Sequence, residues 1–236
     1  MMRCGAEGLN SPPPGRAPRA CNAVFIVEML EPFVSRWLFL ELLHVSEIVG
    51  RERLWITRVR RECERRVLSA LAAVVTPESI SELEGTLPST SRVIVLDPAA
   101  EKPLSPEDFE GPTYVVIGGI MGSHPPSGRT RKELTSRLRR AVARNIGRHQ
   151  LTIDGAAYVA VKVCEGRGLE SVRTLVGLTL QTRIGRVELP YAYPLGDEGE
   201  LIIARGEIDY ILLELEDDER AMIRGRRRDI CVSSPP

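Results

Sequence analysis

The chain has 236 residues, 43% hydrophobic and 27% charged, ordinary values for a soluble globular protein. Its 32 basic and 32 acidic side chains cancel, so no global charge draws it to nucleic acid or anionic lipid. No apolar run reaches the roughly 18 residues of a membrane span. The five cysteines are scattered, odd in number and without C-x-x-C spacing, which argues against a zinc site. Reduced thiols in a cytoplasmic protein are the expectation, with no metal and no membrane partner.

Residues 1–22, rich in Pro, Gly and Arg but lacking the apolar core of a signal peptide, read as a disordered extension. The run "AVFIVEML" predicts a strand that Pro32 stops. Ser35 then caps a helix over "RWLFLELLHVSEIVG", where Trp37, Leu38, Leu42, Val45 and Val49 fall near helical spacing and Gly50 closes. "LWITRV" predicts a second strand, "ECERRVLSALAAV" a second helix and "TPESISELEG" a short helical connection. "RVIVLDP" and "TYVVIGG" predict the third and fourth strands, both as continuous as strands covered on two faces.

Thr130 and Glu133 form a candidate capping box for a helix reaching about Asn145. Leu134, Leu138, Val142 and Ile146 recur in it every four residues, with Arg131, Arg137, Arg139, Arg140 and Arg144 on the opposite face. A short strand near Gln150 and Leu151 follows, then a helix capped by Thr152 or Asp154 and ended by Gly166. "VGLTLQTRIGRVELPYAYPL" alternates as two strands joined at Ile184 and Gly185, a small β extension toward the C-terminus. Beyond Gly196 the signals conflict, and "EIDYILLELEDDERAMIRGRRRD" reads as a strand leading into a charged helix.

Strands alternating with helices imply an α/β fold with a mostly parallel sheet, whose ligands bind at the carboxyl ends of the strands. Three segments qualify: Leu96 to Pro98, Gly118 to Pro126, and Gln150 to Gly155. Gly118 and Gly119 permit positive φ and let a ligand touch bare main chain. G-x-G-x-x-G, G-x-x-x-x-G-K-[ST] and G-x-S-x-G all fail on spacing or residue type, which disfavours phosphate-cradling and acyl-transfer chemistry.

The segments "IVEMLEPFVSRWLFLE", "VIVLDPAAEKPLSPEDFEGPTYVVIGGIMGSHPPSGRT" and "GRHQLTIDGAAYVAVKV" resemble one family of SPOUT-class methyltransferases of archaea and eukaryotes. The resemblance runs from about Ala23 to Leu195 and implies a domain over 23–195, with residues 196–236 as a partly ordered extension. It implies a parallel-sheet α/β fold with a trefoil knot, an exception to the rule that chains do not thread loops. It implies S-adenosyl-L-methionine held by Leu96, Asp97 and Pro98, by Gly118, Gly119, Ile120 and Gly122, and by Gln150, Leu151, Thr152, Ile153 and Ala156. Arg129 is expected to pair with the cofactor carboxylate.

The family includes a yeast enzyme acting on an arginine of a ribosomal protein, so a ribosomal arginine is the expected acceptor. A protonated guanidinium must be aimed by carboxylates and lose a proton. Glu28 and Asp154 are the leading candidates, with Asp154 serving equally well as a plain N-cap. His124 is either a base near neutral pH or a turn residue. The arginine-rich face from Arg131 to Arg148 keeps ribosomal or transfer RNA open as an alternative acceptor. A non-catalytic ribosome-associated factor is the second alternative. Homodimer and monomer are equally compatible with the sequence.

Overall fold

In the computed structural model, residues 19–121, 128–181, 185–226 and 229–231 are described. The predicted apolar runs become strands β1 (Val24–Met29), β2 (Leu54–Thr57), β4 (Arg92–Leu96) and β5 (Thr113–Gly119). Two shorter strands, β3 (Val74–Val75) and β6 (Val142–Arg144), complete a six-stranded sheet in the order β3-β2-β1-β5-β4-β6. Every pairing in it is parallel. The helices are α1 (Arg36–Val49), α2 (Glu62–Leu68), α3 (Ile80–Leu83), α4 (Arg129–Glu133), α5 (Ile153–Cys164), α6 (Glu207–Leu213) and α7 (Leu215–Ile223).

Both sheet faces are buried, as the continuous apolar runs require. Phe25, Val27, Ile56, Ile94 and Val115 pack on one face against Leu38, Leu42 and Val45 of α1 and Ala157, Ala160 and Val163 of α5. Ile26, Val95 and Val116 face the other way, against Ile80, Leu87, Leu134 and Leu138. The long helices start where local chemistry directs. Ser35 Oγ accepts from Leu38 N–H at 3.2 Å, Thr152 Oγ1 accepts from Gly155 N–H at 3.2 Å, and Gly50 closes α1 at φ 84°.

The helix expected from Thr130 to Asn145 does not form. α4 ends at Glu133, its N-cap is Gly128 rather than a Thr130 capping box, and residues 142–144 pair with β4. Tertiary capture overrides the helical repeat. The Glu84 carboxylate accepts the N–H groups of Arg139 at 2.9 Å and Arg140 at 2.7 Å, while the Arg140 guanidinium donates to the carbonyls of Glu84 and Leu87. The expected basic face dissolves with the helix. Arg144 pairs with Asp108 at 2.8 Å and Arg131 with Asp97 at 3.3 Å.

Past β6 the chain runs inside a bend formed by residues 97–104. Asp97 N–H donates to the Arg144 carbonyl at 2.9 Å and Leu104 N–H to the Asn145 carbonyl at 2.8 Å. Asn145 N–H donates to the Lys102 carbonyl at 2.9 Å, and its side-chain amide reaches the Ala100 carbonyl at 3.0 Å. The earlier segment thus grips the later one through four hydrogen bonds, at the place where the resemblance implies the knot.

β7 (Thr174–Gln181) and β8 (Arg186–Pro194) form the expected antiparallel pair, and Ile184 lies outside the described residues. Ala192 N–H donates to the Gln150 carbonyl at 2.8 Å, which ties this hairpin to the segment before α5. Beyond it, the expected strand over 207–213 is helical instead, as α6. The expectation of reduced thiols is overturned: Cys21 bonds to Cys164 and Cys63 to Cys231. Sequence separations of 143 and 168 residues hid these pairs, whose Cα atoms lie 5.3 and 5.6 Å apart. Residues 19–22 also carry contacts, with Arg19 N–H donating to the Glu165 carbonyl at 3.1 Å. Among the described residues, no helix is long and apolar enough to cross a membrane.

Neither Gly118 nor Gly119 takes a positive φ. Gly119 is required for another reason: a Cβ there would sit 3.1 Å from both the Glu28 carbonyl oxygen and Met29 Sδ. Gly119→Ala is therefore expected to lower the unfolding free energy by about 1–3 kcal/mol, read from urea denaturation.

Candidate active site

A cavity of about 420 Å³ opens where β4, β5 and the start of α5 meet. All three predicted segments line it: Leu96, Asp97 and Pro98; Gly118 and Ile120; Gln150, Leu151, Thr152 and Ala156. Arg129 joins them. Gly119 and Ile153 do not line it; the first packs on β1 and the second is buried in the core. Gly122 and His124 lie outside the described residues. Sequence reasoning missed Ile146, Gly147, Arg148 and His149, because they follow the stretch read as a helix.

The charged groups at the cavity are mostly spent on holding its loops. Asp97 accepts from Thr135 Oγ1 at 2.9 Å, from Arg131 Nε at 3.3 Å and from Ala99 N–H at 2.8 Å. Arg129 donates to Glu31 at 2.8 Å, Glu133 at 2.9 Å and the Leu30 carbonyl at 3.2 Å. It bridges the end of β1 to α4 and has few donors left over. Arg148 and His149 are exposed at the cavity rim, and Arg148 has no ion pair or hydrogen bond among the described residues.

The leading carboxylates separate sharply. Glu28 is buried away from the cavity and serves the fold. Its carboxylate accepts from Thr57 Oγ1 at 2.5 Å, Ser79 Oγ at 2.7 Å and Ile80 N–H at 2.9 Å, joining β1, β2 and the start of α3. Asp154 is fully buried, with Oδ2 2.7 Å from His44 Nδ1, beside the cavity loop but not lining the cavity. Thr152, not Asp154, supplies the N-cap of α5.

Two further acids escaped the sequence reading. Glu41 is buried and its Oε2 accepts from Ile153 N–H at 2.9 Å. It lies four residues after Trp37 and three after Leu38, on the apolar stripe of α1, which was the signal available. Glu207 opens α6 in a region of mixed signals and is fully buried. Burial first, then the charge of Asp154, pushes Glu207 up from 4.5 to about 8. Burial, followed by the charges of Asp154 and Glu207, likewise holds Glu41 well above the carboxylate range.

A parallel sheet covered on both faces, with a cavity walled by three loops at the ends of its strands, matches what the resemblance to SPOUT-class methyltransferases implies. The profile described as protein arginine N-methyltransferase SFM1-like matches residues 24–218, and the chain belongs to that family. It is 29% identical over 200 residues to the protein arginine N-methyltransferase SFM1 of Saccharomyces cerevisiae, covering 79% of this chain and 93% of the yeast protein. The crystal structure of yeast SFM1 complexed with SAH superposes with a TM-score of 0.72 at 28% identity, over 80% of this chain and 94% of that one. The complex with SAM gives 0.71 at 28% identity, over 80% and 90%.

Two outcomes follow. Glu28→Ala is expected to destabilise the protein by about 2–4 kcal/mol, since it strands two hydroxyls and an N–H. Calorimetry should show adenosylhomocysteine affinity unchanged in the folded fraction. Glu207 has a folded pKa above its unfolded one, so its stabilisation is complete below the unfolded value and is lost as pH rises through about 8. Urea midpoints should fall between pH 5 and 8, at up to about 1.4 kcal/mol per pH unit from this group. Glu207→Gln should flatten that part of the profile.

Proposed function

We propose that the protein transfers a methyl group from S-adenosylmethionine to an arginine side chain of a ribosomal protein. The observation that carries this reading is the cavity itself, which forms at the three segments the family resemblance assigns to the cofactor. Its volume of about 420 Å³ falls within the usual range for a bound small molecule. Ile117, Ile120, Ile146 and Leu151 offer apolar walls to an adenine, and Gly118 offers main chain without a Cβ. The residues present therefore fit the group.

S-adenosylmethionine, when bound, supplies an electrophilic methyl on a sulfonium. The chain's part is to position and to exclude water, which provides much of the acceleration in a displacement of this kind. Leu151 and Ile120 close the cavity walls, while Thr152 fixes the third loop by capping α5. Asp97 holds the first loop through its Thr135 and Arg131 bonds. Arg148 is better suited than Arg129 to meet the cofactor carboxylate, because the Arg129 guanidinium is already shared between Glu31 and Glu133.

A protein acceptor is supported by family membership, and a ribosomal one by the resemblance drawn from the sequence. RNA loses its main support, since the arginine-rich helix face does not exist and Arg140 and Arg144 are tied into the fold. The test incubates the full-length protein with methyl-tritiated S-adenosylmethionine and isolated ribosomal subunits. Label is expected in material that protease removes and nuclease does not, released as monomethylarginine on acid hydrolysis. Nuclease-sensitive label would overturn the acceptor, and adenosylhomocysteine binding without any label would overturn the reaction.

A further inference from the structure

The cavity wall that follows β5 has two described ends. Ile120 stands just past the strand, and Gly128, Arg129 and Thr130 stand at the start of α4. Both ends hang on one carboxylate. Glu31 Oε1 accepts from Met121 N–H at 3.1 Å and from Arg129 Nη1 at 2.8 Å. Glu31 lies two residues past β1 and does not itself line the cavity.

Neighbouring bonds tighten the same junction. Leu30 N–H donates to the Gly119 carbonyl at 3.1 Å, and Arg129 Nη2 donates back to the Leu30 carbonyl at 3.2 Å. Arg129 Nε reaches Glu133 at 2.9 Å, so carboxylates hold the guanidinium at two of its nitrogens. Because that group is a rigid planar fork, the two contacts fix its orientation as well as its place. α4 contributes little of its own: it has five residues, and its N-cap Gly128 offers no side-chain bond. A helix so short keeps its position only through tertiary contacts. Without Glu31, the Met121 N–H would lose its acceptor and Arg129 its link to the end of β1.

Charge and geometry make opposite demands here. S-adenosylmethionine carries a carboxylate, so the negative charge of Glu31 near the cavity opposes binding. Any help that Glu31 gives to the cofactor must come through placement. Glu64 provides a matched comparison on the same connection. It is buried and accepts from Val34 N–H at 2.8 Å and from Arg61 at 3.2 Å, yet neither it nor its partners line the cavity.

We propose that Glu31 is a positioning residue for the cofactor: through Met121 and Arg129 it sets the separation of the two ends of this wall. The proposal rests on the reading of the cavity as the S-adenosylmethionine site. Glu31 makes no bond to the ligand. It holds the wall in place beforehand, so that less ordering remains to be done on binding.

The test titrates adenosylhomocysteine by calorimetry into full-length wild type, Glu31→Ala, Glu31→Gln, Glu31→Asp and Glu64→Ala, with a thermal melt of each. Glu31→Ala is expected to weaken binding by about tenfold or more, the scale of one lost charge-assisted hydrogen bond. Glu31→Gln keeps an acceptor oxygen at the same reach and should stay within about threefold of wild type. Glu31→Asp keeps the charge but falls one methylene short, and should bind as poorly as Glu31→Ala. Glu64→Ala should lower the melting temperature comparably while leaving affinity within about twofold, as a site apart from the cavity does. Unchanged affinity in Glu31→Ala would overturn the proposal. So would equal weakening by Glu64→Ala, which would make Glu31 a general support of the fold. Should Glu31→Ala not fold, the other two Glu31 variants decide: Asp binding better than Gln would place the effect in charge and overturn the proposal. Wild type that binds no adenosylhomocysteine would overturn the cofactor reading instead.

Discussion

The outer edge of β4 governs everything after residue 128. That edge presents a row of N–H and C=O groups which must find partners. Residues 142–144 supply them, and the bend at 97–104 closes on Asn145 immediately afterward. A helix through 130–145 would satisfy its own backbone and could still bury Leu134 and Leu138, but it would leave this edge open. Glu84 tips the balance, because its carboxylate fixes the N–H groups of Arg139 and Arg140 just where helix would have to continue. The consequence reaches the cavity. A helix of 16 residues would carry Ile146 to His149 about 24 Å along its axis, whereas the strand delivers them beside Leu96 and Gly118.

This explains which parts of the molecule were legible in the sequence. α1 and α5 were, because Ser35, Gly50 and Thr152 act within one turn of their own position. β4 and β5 were, because unbroken apolar runs announce burial on both faces. The cavity loops were legible as a motif, and most of their residues do meet at one cavity. β3 and β6 were not, since two or three residues carry no periodicity and each is a strand only by virtue of its neighbour. The disulfides depend on the tertiary fold alone, bringing together cysteines more than a hundred residues apart.

Glu28 shows a subtler limit. A carboxylate inside a strand looks functional, because an acid contributes nothing obvious to packing. Its reason lies on other elements: the hydroxyls of Thr57 and Ser79 and the N–H of Ile80 all require an acceptor at that point. Nothing near Glu28 in sequence reveals them. Asp97 repeats the pattern at the cavity, where a residue in the right loop directs its oxygens at Thr135, Arg131 and Ala99. A carboxylate's position in a motif is thus a weaker guide to chemistry than whether its oxygens are already occupied.

By that criterion the acids of this protein fall into two groups. Glu28, Glu84, Asp97 and Asp108 are buried with their oxygens engaged by hydroxyls, N–H groups or guanidinium groups, and each bond joins separate elements of the fold. Glu207 is buried without such a bond, and Glu41 gives one oxygen to the α5 N-terminus while facing both Asp154 and Glu207. Apolar side chains of similar volume would be more stable in their place, since desolvating an acid without a partner is unfavourable.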